Sequence, residues 1–215
     1  MRTADDAMDA IELLAKYNIP FVESAVAKTD DDAQRFADSI GYPIAMKIAT
    51  DEPIHKTDIG GVRLNVAPDA VRQTFNDILK SAVSAGVGSK GVMIQQMAKP
   101  GIEVIVGLKQ DRAFGPIVLF GLGGIYAEAL HDVSIRVCPI AEQDAKEMVS
   151  ELKSSAIFSS RGIEYDTTAL VDVLMKASAM AITEPIRELD LNPVIVYPKS
   201  SGGGCLVVDV RAVRK

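Results

Sequence analysis

Ile54-His55-Lys56-Thr57-Asp58-Ile59-Gly60-Gly61-Val62 sets an imidazole, an ammonium, a hydroxyl, a carboxylate and a glycine pair within nine residues. The apolar segments on either side, 44–48 and 62–66, read as strands, so the run is the loop that joins them. Without a Cβ, Gly60 and Gly61 let backbone N–H groups approach an anion closely. His131 is the only other histidine. Three readings of His55 stand side by side: a polar residue of a surface loop, a base titrating near neutrality, or a nucleophile that takes a group covalently. No glycine precedes Lys56-Thr57 at the Walker distance, so the loop is not a P-loop.

The bulk properties narrow the classes. The chain has 215 residues, 48% hydrophobic and 24% charged, enough for one large domain or two lobes with real cores. No apolar run approaches the roughly 20 residues of a membrane span, and the first residues lack a secretory pattern. Two cysteines without paired spacing, Cys138 and Cys205, favour a reduced, cytoplasmic setting. A net charge of −6, no tryptophan and 5% aromatics argue against a nucleic-acid surface. An acidic chain still binds nucleotide phosphates when a few cations are focused in a cleft.

Working outward from the loop, helical and strand-like segments alternate. Met8, Ile11, Leu14 and Ala15 recur at helical spacing after Thr3, and Asn18 to Pro20 stop them. A short strand is expected over 21–27. Thr29 and the acids Asp30, Asp31 and Asp32 read as a capped, dipole-matched helix start rather than a metal site. That helix ends at Gly41. Pro68 opens another, with Val71, Phe75, Ile78 and Leu79 on its apolar face. The glycine-rich segment 84–91 reads as a hinge, separating a lobe over 1–90 from one over 91–215. Strands at 92–97, 102–108 and 116–120 suggest an antiparallel meander. Helices over 142–152 and 167–182 and strands over 188–196 and 205–210 complete an α+β pattern.

Three further groups carry chemistry. Lys47 is a lone cation in an apolar strand: a surface lysine on a sheet edge, or an ammonium reaching into a cleft to hold a phosphate. The turn Phe120-Gly121-Leu122-Gly123-Gly124 lacks the third glycine of a dinucleotide fingerprint, but its backbone suits close approach to an anion, with Glu128, Asp132 and Arg136 downstream. Glu188, Asp190 and Asn192 share one strand face, and Asp209 on the next strand lies opposite them. That set is a solvated strand face or a magnesium site completed by phosphates.

Together these motifs resemble the ATP-grasp fold, two α+β lobes with the nucleotide cleft between them. The nearest resemblance is to the nucleotide-binding β subunit of ADP-forming acyl-CoA synthetases, in the succinyl-CoA synthetase superfamily. The likeness is carried by Gly41 to Lys47, His55 to Val62, Gly101 to Gly107, Phe114 to Gly124, Arg161-Gly162 and Glu188 to Pro193. It implies ATP or ADP and Mg²⁺ as cofactors, and it implies roles. Lys47 would hold nucleotide phosphates, and the loop over 50–61, with Lys56, Gly60 and Gly61, would close over them. Gln95, Met97 and Ala98 would line the adenine, Glu103 the ribose, and Gly123, Gly124 and Asp190 the rest of the nucleotide. Asn192 and Asp209 would ligate Mg²⁺.

The resemblance also implies that His55 is a phosphohistidine that relays a phosphoryl group in acyl-CoA + ADP + phosphate ⇌ acid + CoA + ATP. The CoA-binding and ligase domains are absent from this sequence. The implied partner is therefore an α subunit, in an α2β2 heterotetramer. The rival readings are an ATP-grasp carboxylate–amine ligase, which needs no histidine, and a nucleotide-sensing module without chemistry.

Overall fold

The structure, a computed structural model, describes residues 6–50, 52, 54–123 and 132–214. The chain forms two compact units, Val22–Ala98 and Met8–Phe21 with Lys99–Lys215. Helix α1 (Asp6–Lys16) thus packs largely with the second unit.

The first unit is a four-stranded antiparallel sheet with two helices on one face. Its strands are β1 (Ser24–Ala27), β2 (Ile44–Ala49), β3 (Val62–Val66) and β4 (Gly91–Gln96), in the order β1-β4-β2-β3. Helix α2 (Asp30–Ile40) starts as its sequence dictates: the Thr29 hydroxyl accepts from the Asp32 N–H at 3.1 Å, and three aspartates face the positive end of the dipole. Helix α3 (Val71–Ser84) buries Val71, Phe75, Ile78 and Ala82. Both helices cover Ile44, Met46 and Ile48 of β2 and Val92 and Ile94 of β4. Strand alternation then puts Ala45, Lys47, Met93 and Gln95 on the opposite face.

The second unit is built on a six-stranded antiparallel sheet. Its strands are β5 (Ile102–Asp111), β6 (Gly115–Leu122), β7 (Val133–Val137), β10 (Ile186–Val196), β11 (Cys205–Val207) and β12 (Val210–Arg214). The order is β11-β10-β5-β6-β7, with β12 also on β10. Helices α4 (Glu142–Ser150) and α5 (Thr167–Thr183) pack on the face of Val104, Val106, Leu108, Phe120, Leu189 and Leu191. Leu13 and Leu14 of α1 enter the same core, which explains that helix's membership. A two-stranded hairpin, β8 (Ser159–Ser160) and β9 (Ile163–Glu164), stands apart from the main sheet.

Several expectations need correcting. The division at 90/91 falls instead after Ala98, because β4 lies in the interior of the first sheet, between β1 and β2. Segment 84–91 is therefore a connection within one unit and not a hinge between two. The meander is β5-β6-β7, without β4. Strand β7 inverts the usual polarity: Val133, Ile135 and Val137 are exposed, while the Arg136 guanidinium donates to both carboxylate oxygens of Glu151. The expected strand over 205–210 is interrupted at Val208 and Asp209.

Phe120 is fully buried at the centre of the second unit's core. Phe120→Ala should lower that unit's unfolding free energy by about 3–5 kcal/mol, the usual cost of an aromatic-sized cavity. Urea titration followed by circular dichroism measures it; a loss below about 1 kcal/mol would contradict this packing.

Candidate functional site

In the first unit the candidate groups lie on or beside β2. Lys47 is only 8% exposed, although its strand carries an otherwise apolar sequence. Strand β2 is interior, with β4 on one side and β3 on the other, and Lys47 is in register with Met93 and Val62. The surface reading of Lys47 on a sheet edge is thereby removed. On the same face, Gln95 of β4 is 1% exposed and stands opposite Ala45. Met97 and Ala98 follow the end of β4, half-buried.

The loop leaving β2 is folded, not open. The Asp58 N–H donates to the His55 carbonyl at 3.0 Å, the Gly60 N–H to Thr57 at 3.0 Å and the Gly61 N–H to Lys56 at 2.8 Å. The Gly61 carbonyl in turn accepts from the Ile48 N–H at 2.7 Å. A Cβ on Gly61 would stand 2.7 Å from Ile48 Cγ2 and 2.9 Å from the Lys56 carbonyl oxygen, so only glycine fits. Gly60 has φ +68°, the left-handed region where glycine is favoured. The glycine pair therefore closes the turn and stitches it to β2, one residue from Lys47. His55 is exposed at the start of this turn, and Lys56 is half-buried within it.

Two anchors were not apparent in the sequence. The Glu52 carboxylate accepts from the Gly88 N–H at 2.6 Å, and Arg63 Nη1 donates to the Gly60 carbonyl at 2.9 Å. Both contacts join residues whose pairing depends on the tertiary fold or on a turn's exact path, so no local pattern announces them.

In the second unit, Glu103 is exposed on β5 and its carbonyl accepts from the Gly123 N–H at 2.7 Å. A Cβ on Gly123 would lie 3.1 Å from the Glu103 backbone, so this glycine serves a close backbone approach. Gly124, Glu128 and His131 lie outside the described residues. Asp132 and Arg136 have partners of their own, Arg136 on Glu151. Asp132 accepts from the Lys153 and Ser154 N–H groups, both at 2.9 Å, and from the Ser154 hydroxyl. The Ser154 hydroxyl, followed by those N–H groups, holds its carboxyl below the usual range despite burial.

The acidic face forms as its alternation predicts. The Asn192 N–H donates to the Asp209 carbonyl at 3.1 Å, and the Val208 N–H to the Pro193 carbonyl at 3.0 Å. The break between β11 and β12 thus sits opposite Asn192 and Pro193, where β10 also shifts register against β5. Burial raises the Asp190 carboxyl above its ordinary 3.8, helped by repulsion from Glu188 and Asp209 and opposed by Arg211. Carboxylates that raise one another's affinity for protons also favour a cation. Among the described residues no three His, Cys, Asp or Glu side chains converge. One amide oxygen and one carboxylate, from Asn192 and Asp209, suit Mg²⁺, which normally takes one or two carboxylates and completes its shell with phosphate and water.

Residues 1–213 match the sequence profile of the ATP-grasp domain family. The acetate–CoA ligase (ADP-forming) II subunit β of Pyrococcus furiosus is 41% identical, covering 100% of this chain and 93% of its own. A solved acetyl-coenzyme A synthetase 1 of Candidatus Korarchaeum cryptofilum, in complex with coenzyme A and Ca-AMPCP, is 37% identical with a TM-score of 0.90, over 97% of this chain and 92% of that one. A second structure of that enzyme, with coenzyme A and Mg-AMPPCP, has its phosphohistidine segment pointing towards the nucleotide binding site. It is 33% identical with a TM-score of 0.83, over 99% of this chain and 100% of that one.

The raised Asp190 carboxyl sets a pH dependence. A folded-state value above the unfolded one favours folding below the unfolded value, and the benefit is lost as pH rises through the folded one. At pH 7, ionised Asp190 therefore opposes folding. Asp190→Asn should raise the unfolding midpoint of the metal-free protein at pH 7, and the gain should shrink as pH falls towards 3.8. Unfolding curves across that pH range test it; a variant less stable at pH 7 would contradict the electrostatic reading.

Proposed function

Because the chain belongs to the ATP-grasp family, among the β subunits of ADP-forming acyl-CoA synthetases, we propose that it transfers a phosphoryl group between nucleotide and a partner subunit through His55. The overall reaction is acyl-CoA + ADP + phosphate ⇌ acid + CoA + ATP. The observation that carries this reading is the single strand that bears buried Lys47 and anchors the His55 turn through Gly61.

In the direction of ATP consumption, the neutral imidazole attacks the γ-phosphorus. An N–P bond forms, the P–O bond to the β-phosphate breaks, and ADP leaves. Such transfers depend on positioning and charge neutralisation more than on covalent chemistry from the protein. Lys47 supplies a fixed ammonium for the phosphates, and its burial strengthens that attraction. Lys56 adds a second cation on the turn itself. Gly60 and Gly61 keep the turn's backbone compact beside Lys47. Gln95, Met97 and Ala98 take the adenine, Glu103 the ribose, and Gly123 lets the backbone approach the nucleotide. Asn192 and Asp209 would hold Mg²⁺, and Asp190 would serve the nucleotide beside them on the same strand face; the ion would neutralise charge on the polyphosphate.

The partner is an α subunit that carries the CoA chemistry, in an α2β2 assembly. The name of the Pyrococcus relative as a β subunit supports such a partner. His55 is exposed, which suits a group that must meet two reaction centres. Two buried, unpaired thiols, Cys138 and Cys205, fit a reducing, cytoplasmic setting.

Incubation of the α–β enzyme with γ-labelled ATP and Mg²⁺ should give a base-stable, acid-labile phosphoprotein on this chain. His55→Ala should abolish both the label and turnover, and label persisting in that variant would sink the relay. Lys47→Met should keep the fold and weaken nucleotide binding by roughly 10–100-fold, the worth of a charge-assisted contact. Calorimetric titration with ADP measures that loss.

A further inference from the structure

The helical side of the second unit holds a cavity of about 640 Å³, a size typical of small-molecule sites. It is bounded by α4, the turn Ser155–Phe158, the β8–β9 hairpin, the start of α5 and Lys199. Glu103 and the acidic residues of β10 alternate with the core-facing residues of their strands, so they lie on the opposite face of the sheet. The cavity therefore lies across this unit's sheet from Glu103, Asp190 and Asn192.

We propose that this cavity is a second ligand site, taking a small organic anion with an apolar body. Its floor is apolar, formed by Val149, Phe158 and Val171, all buried in the unit's core. Its rim carries the ammonium groups of Lys146 and Lys199 and one carboxylate, Glu164. Each lysine already has a carboxylate neighbour: Lys146 with Glu142 at 2.6 Å, and Lys199 with Glu164 at 3.4 Å. Both pairs are solvent-exposed and worth only about 0–1 kcal/mol, so an incoming anion can recruit either ammonium at small cost. Four hydroxyl-bearing residues, Ser155, Ser159, Tyr165 and Thr167, also line the cavity. Among the described residues none of the four is engaged by another side chain, which leaves them to orient a polar head.

The walls are fixed before any ligand arrives. Asp132 holds the turn at Lys153 and Ser154 through both backbone N–H groups. The Tyr165 N–H donates to the Phe158 carbonyl at 2.9 Å, and Tyr165 forms an isolated antiparallel bridge with Pro198. Asp166 caps α5 by accepting from the Ala169 N–H at 3.0 Å and also accepts from the Gly204 N–H at 2.8 Å, which ties the lysine-bearing turn down. The hairpin that walls the cavity turns through Arg161 and Gly162, at φ +53° and +75°. Positive φ at both central residues is what a tight two-residue hairpin turn requires. A site already shaped loses little ordering entropy on binding.

The test is a fluorescence titration of the purified chain with 1-anilinonaphthalene-8-sulfonate, an aromatic anion, with and without saturating Mg-ADP. One saturable site, unmoved by Mg-ADP and weakened about tenfold or more in the Lys146→Ala/Lys199→Ala variant, is the expected result. Both lysines are exposed, so the double variant should keep the native thermal midpoint. Competition by phenyl phosphate or benzoate identifies which head group the cations prefer. Absence of saturable binding, displacement of the dye by Mg-ADP, or equal affinity in the double variant would each overturn the proposal. None of these outcomes depends on the phosphohistidine relay.

Discussion

The short bond from the Ile48 N–H to the Gly61 carbonyl, 2.7 Å long, is the constraint on which the first unit's chemistry depends. It fixes the far end of the His55 turn one residue from Lys47, on a strand that has neighbours on both sides. Close packing enforces it, since any side chain at Gly61 would collide with Ile48 and with the turn's own backbone. Position 61 is thus glycine for lack of space, and position 60 for its backbone angle. The structure gives the pair a mechanical reason.

The two units solve the same problem in the same way. In each, helices occupy one face of an antiparallel sheet, and strand alternation delivers the chemistry-bearing side chains to the other. Ile44, Met46 and Ile48 hold the first sheet to its helices, which commits Lys47 to the opposite side. Leu189 and Leu191 do the same for Asp190 and Asn192. Function is therefore registered to the core: a one-residue slip in either strand would turn a cation or a carboxylate into the apolar layer.

Much of this was legible in the sequence because it is local. Caps at Thr29 and Gly41, the apolar stripe of α3 and the alternation in β2 and β10 depend on neighbours within a few residues. The misread parts depend on partners far along the chain. Segment 84–91 looked like an interdomain hinge from its glycines, but Gly91 opens β4, whose pairing with β1 and β2 no local pattern records. Asp132 stood out only as an acid downstream of a glycine cluster, and its partners at Lys153 and Ser154 lie 21 and 22 residues on. Lys47 carried two meanings until its strand was known to be interior. Tertiary pairing, which periodicity cannot supply, is what resolves these ambiguities.

The acidic face of β10 sits in tension with its own fold. Glu188 and Asp209 both repel Asp190 in a partly buried place, and Arg211 opposes them. Replacing the acids with neutral residues would ease folding and remove the attraction for a cation. The same repulsion that destabilises the free protein becomes binding free energy once positive charge arrives, because relief of strain in the free state counts towards affinity for whatever relieves it. Lys47 presents the mirror case, an ammonium almost wholly buried in its strand. In each unit the charge lies on the sheet face away from the helices, and that unit's core supplies the stability that lets it keep the charge.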